Sequence, residues 1–325
     1  MKRVRVIATG GTIASKLDPA TGAARPALTG QELVEALPGL SQAQVTVEQF
    51  ANVASQALTL EQLLALAKRA REIFERGEAD GVVITQGTMT LEESSYLWDL
   101  VLERPEPVVV TGAMRHTSLP GADGSRNLLD AVIAAASDAT RGLGVLVCMN
   151  GELHAARDVV KTHSLDVDSF QSPDLGPLGF VRSGRAEVHR APLLREHIPA
   201  ADVTAKVYLV TTVAGDDGGL IEAAVERGAD GLVLEAMGGG AVPPGCMPAV
   251  MAAVARVPVV AVSRCYAGSM YENVYGFAGG DKQLRELGVL FGGSLTGPKA
   301  RIKLILALGA YGKDRDKVAA AFQNV

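Results

Sequence analysis

Cysteine, aromatic residues and any strong excess of charge are scarce in this chain of 325 residues. Its three cysteines, Cys148, Cys246 and Cys265, are odd in number and far apart. They form neither a disulfide framework nor a zinc pattern, so buried free thiols are the expectation. The five histidines, His116, His154, His163, His189 and His197, lack the spacing that sets two metal ligands on one helical turn. Lys and Arg number 31 against 36 Asp and Glu, leaving a net charge of −5. Such a chain has no positive field to draw in nucleic acid or an anionic membrane, so neither is an expected partner. No apolar run reaches the length of a membrane span. A strand-like run begins at Val4, leaving no room for a signal peptide, and a cytoplasmic location is expected.

What is abundant is glycine, at 36 residues, in a chain that is 48% hydrophobic. The length suggests about two domains. Short β-branched runs recur, each closed by a polar or glycine turn: Val4–Ala8 before Gly10-Gly11, Gly81–Ile84 before Gln86-Gly87, Val108–Val110 before Gly112, and Gly144–Cys148 before Asn150-Gly151. Runs of this kind read as parallel strands buried on both faces. Between them, Leu58–Ala79, Glu92–Leu102 and Asn127–Asp138 carry apolar residues at helical spacing. Periodicity is lost over 189–205, which holds two prolines and reads as a linker between a domain at 1–188 and a smaller one at 206–325. The rhythm then resumes with strands at Val207–Val210, Gly231–Leu234 and Val257–Val262. Helices are expected at Leu220–Arg227 and Pro248–Ala255, with Pro248 at the first helical position. The segment Lys299–Leu308 leads on to a charged helix, Lys313–Phe322.

The usual phosphate signatures fail. Thr9–Thr12 follows a strand, but Thr12-Ile13-Ala14-Ser15 breaks the dinucleotide fingerprint. Gly292–Lys299 puts Pro298 where a phosphate loop needs lysine, and no G-x-S-x-G elbow occurs. Two similar signals remain, each a threonine beyond a strand end: Thr12 after Gly11, and Thr88 after Gly87. In open parallel sheets the ligand crevice lies beyond the carboxyl ends of strands, so both hydroxyls should face it. Glycine there lets backbone N–H groups approach a substrate oxygen. A hydroxyl becomes a nucleophile once a lysine or tyrosine takes its proton. Threonine also satisfies backbone N–H groups in turns and caps, so spacing leaves both a hydrolytic enzyme and a purely structural role open.

The segments Ala8–Ser15 (ATGGTIAS) and Ile84–Glu93 (ITQGTMTLEE) resemble the two signatures of the bacterial-type asparaginase/glutaminase family. Further matches follow at Ala54–Gln56, Thr111–Arg115, Ala122–Gly124, Ala156–Thr162 and Gly297–Arg301, so the likeness runs along nearly the whole chain. The resemblance implies an α/β fold. Its larger N-terminal domain has a mixed, mostly parallel sheet, and its smaller C-terminal domain is flavodoxin-like. It implies a homotetramer, a dimer of dimers in which the C-terminal domain completes the partner subunit's site. The implied reaction hydrolyses a small-molecule amide to acid and ammonia through an acyl-threonine, with no metal and no cofactor. Thr12 matches the primary nucleophile, Thr88 the second catalytic threonine and Lys161 its proton partner. Ser55 and Gln56 match residues that hold the substrate's α-carboxylate; Gly11, Gly87 and Ala113 match backbone contacts around the amide.

Three departures accompany the match. Met89 stands where the family has an aspartate that binds the substrate's α-ammonium, and a thioether carries no charge. The family's ammonium-contacting asparagine aligns near Gly240-Ala241, where no amide is left. The loop at residues 16–30 lacks the family's tyrosine, for which Tyr266, Tyr271 and Glu272 are candidate replacements. Losing a charge-assisted bond costs about 1.5–3 kcal/mol, so Met89 disfavours a zwitterionic substrate. The expectation is an amide, lactam or ester without the α-ammonium. Two other readings are a non-catalytic binder of amides or acids on this fold, and the ammonia-supplying subunit of a tRNA-dependent amidotransferase. The latter carries an extra N-terminal domain and should show a basic footprint.

Overall fold

The computed structural model describes residues 1–37, 43–192 and 194–323. Two compact units divide between His197 and Ile198, inside the proline-containing stretch 189–205. Leu193 of that stretch lies outside the described residues.

The N-terminal unit opens with β1 (Lys2–Gly10), a hairpin of β2 (Ser15–Leu17) and β3 (Ala24–Pro26), α1 (Gly30–Glu35) and β4 (Ala43–Val53). Then come α2 (Leu60–Glu75), β5 (Gly81–Thr85), α3 (Leu91–Val101), β6 (Val108–Thr111), α4 (Gly124–Ala135) and β7 (Val145–Met149). The unit closes with β8 (Glu152–Ala155), β9 (Val160–Lys161), β10 (Phe170–Gln171), β11 (Gly179–Arg182) and β12 (Arg185–Val188). Eight strands form one sheet in the order β12-β11-β8-β7-β6-β5-β1-β4. From β4 to β7 neighbours are parallel; β8, β11 and β12 extend the sheet antiparallel. The central strand β5 is buried at every residue, which is why its sequence is apolar up to Thr85 at its end. Helices α1 and α2 start on capping boxes at Thr29 and Thr59, each closed by a side chain three residues on.

Register decides where chemistry can occur. Ala8 pairs with Thr85 and Thr85 with Thr111, while Gly10 pairs with Val53. Four neighbouring parallel strands therefore end level and release their chains on one edge, at Ser55, Thr12, Thr88 and Ala113. This is the edge where an open sheet presents its ligand crevice.

Helix α3 lies against β6, β7 and α2, and its buried Trp98 donates from indole Nε1 to the Leu63 carbonyl of α2 at 2.8 Å. One residue further, the Asp99 carboxylate accepts from Val145 N at 2.8 Å, and burial pushes the carboxyl up to about 6. The fold therefore holds this proton more tightly than the unfolded chain does. Stability from this group falls as pH rises from about 4 to about 6. Asp99→Asn keeps an acceptor for Val145 and removes the charge. It is expected to stabilise the protein by about 1–3 kcal/mol at pH 7.5 and to match the parent near pH 4, read from thermal unfolding across pH.

The C-terminal unit carries β13 (Val207–Thr211), α5 (Gly219–Glu226), β14 (Gly231–Ala236), α6 (Met247–Arg256) and β15 (Val259–Ser263). It continues through α7 (Asp281–Glu286), β16 (Leu290–Phe291), α8 (Gly297–Tyr311) and α9 (Arg315–Ala320). Its four strands are parallel and stand in chain order. Helix α6 starts at Met247, so Pro248 takes the second helical position, where its missing N–H is equally harmless. Cys148 and Cys246 are buried free thiols, but Cys265 is exposed, contrary to expectation: it lies in the loop after β15. Among the described residues no helix is long and apolar enough to cross a membrane.

Candidate active site

The first signature leaves β1 through two glycines. Gly11 has φ +85° and ψ −171°, a conformation glycine alone adopts readily, and its N–H donates to the Val53 carbonyl at 3.0 Å. A Cβ at Gly11 would collide with the backbone N and Cα of Gly87. Gly87 in turn lies close to Ser55, with the place of its Cβ 3.0 Å from Ser55 Oγ and 3.1 Å from Ser55 N. Three segments distant in sequence thus touch through backbone, and the contact leaves room only for glycine at its centre. With Gly11 and Gly87 in contact, Thr12 and Thr88 lie no more than about 12 Å apart at Cα, two peptide steps beyond it.

Thr88 is buried, and its Oγ1 accepts a hydrogen bond from Lys161 Nζ at 2.8 Å. Lys161 sits on β9, paired to Phe170 of β10, with its amine 6.0 Å from the Phe170 ring centre. Burial lowers the amine's pKa below its ordinary value, while Glu92 opposes the shift. The amine is thereby moved towards the neutral form that can take a hydroxyl proton. Thr12 is half-buried in a short 3-10 turn that starts directly beyond Gly11.

Ser55 is 1% exposed, and its Oγ has no hydrogen-bond partner among the described residues. Gln56 is exposed beside it. Met89 is 62% exposed, directly after buried Thr88. Ala113 is fully buried, and Gly124 is close to both Ile13 and Ala113, so the turn after Thr12 and the end of β6 meet there.

Sequence reasoning missed the groups that hold this arrangement. Asp123 accepts from the N–H groups of Met114 and Arg115, both at 2.9 Å, and so shapes the turn after Ala113. Asn127 Nδ2 binds the Gly112 carbonyl at 3.0 Å. Gln86 Nε2 donates to Ser94 Oγ at 2.7 Å, tying the loop that carries Thr88 to α3. Their signal was present, since Asp123 and Gln86 lie inside matched segments, but a motif does not say which polar side chain turns inward.

In the C-terminal unit, Met237–Ala241 is a tight turn closed by Met237 N to the Ala241 carbonyl at 2.8 Å. Tyr271 lies against this turn, its N–H donating to the Gly239 carbonyl at 2.8 Å. Glu272 approaches Arg285 at 3.6 Å, and Tyr266 is exposed.

Beyond the end of a parallel strand Thr88 meets the Lys161 amine, and the comparisons with known proteins make the chain a hydrolase of mixed α and β structure that acts on the C–N bond of amides. The family description "Asparaginase, N-terminal" matches residues 3–194, and "Glutaminase/Asparaginase C-terminal domain" matches residues 206–322. The chain belongs to the bacterial-type asparaginase family. It is 35% identical to an L-asparaginase of Bacillus licheniformis over 95% of this chain and 96% of that protein. Identity to L-asparaginase 2 of Escherichia coli K12 is 34%, over 100% of this chain and 93% of the relative. The crystal structure of a probable cytoplasmic L-asparaginase from Campylobacter jejuni superposes with a TM-score of 0.88 at 31% identity, covering 99% of both chains. These relatives support an asparaginase-type amidohydrolase and lend no support to a non-catalytic binder.

Proposed function

We propose that this amidohydrolase works through an acyl-threonine at Thr12 or Thr88 and that its substrate is an amide lacking an α-ammonium group. The observation that carries the first part is the 2.8 Å bond from Lys161 Nζ to Thr88 Oγ1. A neutral Lys161 takes the threonine's proton as the oxygen attacks the amide carbon. The C–N bond then breaks, ammonia leaves with a returned proton, and water hydrolyses the ester. Backbone N–H groups around Gly11, Gly87 and Ala113 receive the developing oxyanion. Ser55, whose buried hydroxyl has no hydrogen-bond partner among the described residues, and Gln56 hold the substrate's carboxylate. A homotetramer, built as a dimer of dimers, and a cytoplasmic location belong to the same reading.

Met89 supports the second part. It is exposed beside Thr88 and offers neither charge nor a strong acceptor to a cation. Side-by-side assay of succinamic acid, L-asparagine and L-glutamine should favour succinamic acid by about tenfold or more in kcat/KM. Met89→Asp should restore part of the turnover of L-asparagine. A strong preference of the unaltered enzyme for L-asparagine would refute the shifted substrate and leave the acyl-threonine standing.

A further inference from the structure

We propose that Glu92 is the positioning residue of Lys161, supplying from the first turn of α3 the negative charge that position 89 does not provide. The inference rests on the Thr88–Lys161 reading above and deepens it. Glu92 Oε2 accepts the backbone N–H of Lys161 at 2.6 Å, a short bond to a side-chain carboxyl oxygen. The carboxylate binds the main chain of Lys161 and leaves its amine to reach Thr88 at 2.8 Å. Thr88 and Lys161 are therefore held from one helix end. The Thr88 loop is fastened to α3 by Gln86 and Ser94, and β9 is fastened to it by Glu92.

The electrostatics agree with the geometry. Facing Lys161 are the Thr88 hydroxyl from the loop after β5, the Glu92 carboxylate from α3 and the uncharged Phe170 ring from β10. Partial burial disfavours the ammonium that forms when Lys161 takes the hydroxyl proton, and the nearby anion offsets this. Met89, exposed and neutral, contributes nothing to this balance.

Glu92→Gln, Glu92→Asp and Glu92→Ala test the assignment, with Lys161→Met measured beside them. Two readouts are followed across pH: kcat on whichever of succinamic acid, L-asparagine or L-glutamine turns over fastest, and labelling of Lys161 by acetic anhydride mapped by mass spectrometry. Labelling needs no turnover. Glutamine retains an acceptor for the Lys161 N–H but not the charge, so the labelling midpoint and the acidic limb of kcat should both move down by about 0.5–1 pH unit. Plateau kcat should fall about 5–20-fold with KM within about twofold. Aspartate, which keeps the charge, should hold the midpoint near the parent's, and alanine should lose more rate than glutamine. An unmoved midpoint in Glu92→Gln overturns the proposal, as does an equal loss in all three variants. If Lys161→Met keeps full activity, the Thr88–Lys161 reading fails, while the labelling midpoint still decides whether Glu92 governs the amine.

Discussion

Lys161→Met should lower kcat by about a thousandfold while KM stays within about twofold, the pattern of an interaction made chiefly in the transition state. Methionine nearly matches the lysine stem in length and apolar character, so packing against Phe170 is kept and only the proton acceptor is removed. The pH profile supplies a check of sign. In the parent, kcat should rise with pH as the amine loses its proton, with a midpoint below the ordinary lysine value because burial depresses it. In Lys161→Met that rise should vanish. A residual rate with the parent's pH dependence would show that another group moves the proton.

Gly11→Ala is the second large effect. The added methyl would fall on the backbone of Gly87, which no side-chain rotation can clear, and alanine resists a φ of +85° paired with a ψ of −171°. Strain and overlap together should destabilise the protein by about 3–5 kcal/mol and cut kcat by at least about a hundredfold, because Thr12 and the Gly87 N–H would both shift. Gly22→Ala is the control. Gly22 also has positive φ, at +66°, but nothing lies within 4 Å of its Cβ position, so a loss of only about 1–2 kcal/mol and unchanged kcat are expected. Urea unfolding and steady-state kinetics on both variants separate the two. Equal losses at both positions would mean that conformation alone, not the glycine contact, sets the effect.

The central strands were legible because burial on both faces leaves a signal no side chain contradicts: β5 and β7 are continuous apolar runs. The strands β8, β11 and β12 were not, since each is short and has polar or half-buried positions that break the run. Strand β4 escaped for a related reason. It is an edge strand of eleven residues in which exposed and part-buried positions are mixed, diluting its apolar content. The helices that were expected lie within a few residues of their places, for example α3 at Leu91–Val101 against Glu92–Leu102, whereas α1 and α7, of six residues each, gave too short a pattern to be read. In the site, glycines and threonines announced themselves through the turns they require. Asp123, Asn127 and Glu92 did not, because each acts on main chain distant in sequence, and only the folded register shows which N–H or carbonyl lies in reach.

The seam between Gly11 and Gly87 joins two turns that have no slack of their own. Natural drift or laboratory selection should therefore leave both glycines untouched and work at their border. Met89, one residue beyond the buried Thr88 and open to solvent, is such a border position. On the proposed reading, a lineage can exchange its preferred molecule there by single steps, without first surrendering the machinery that breaks the bond.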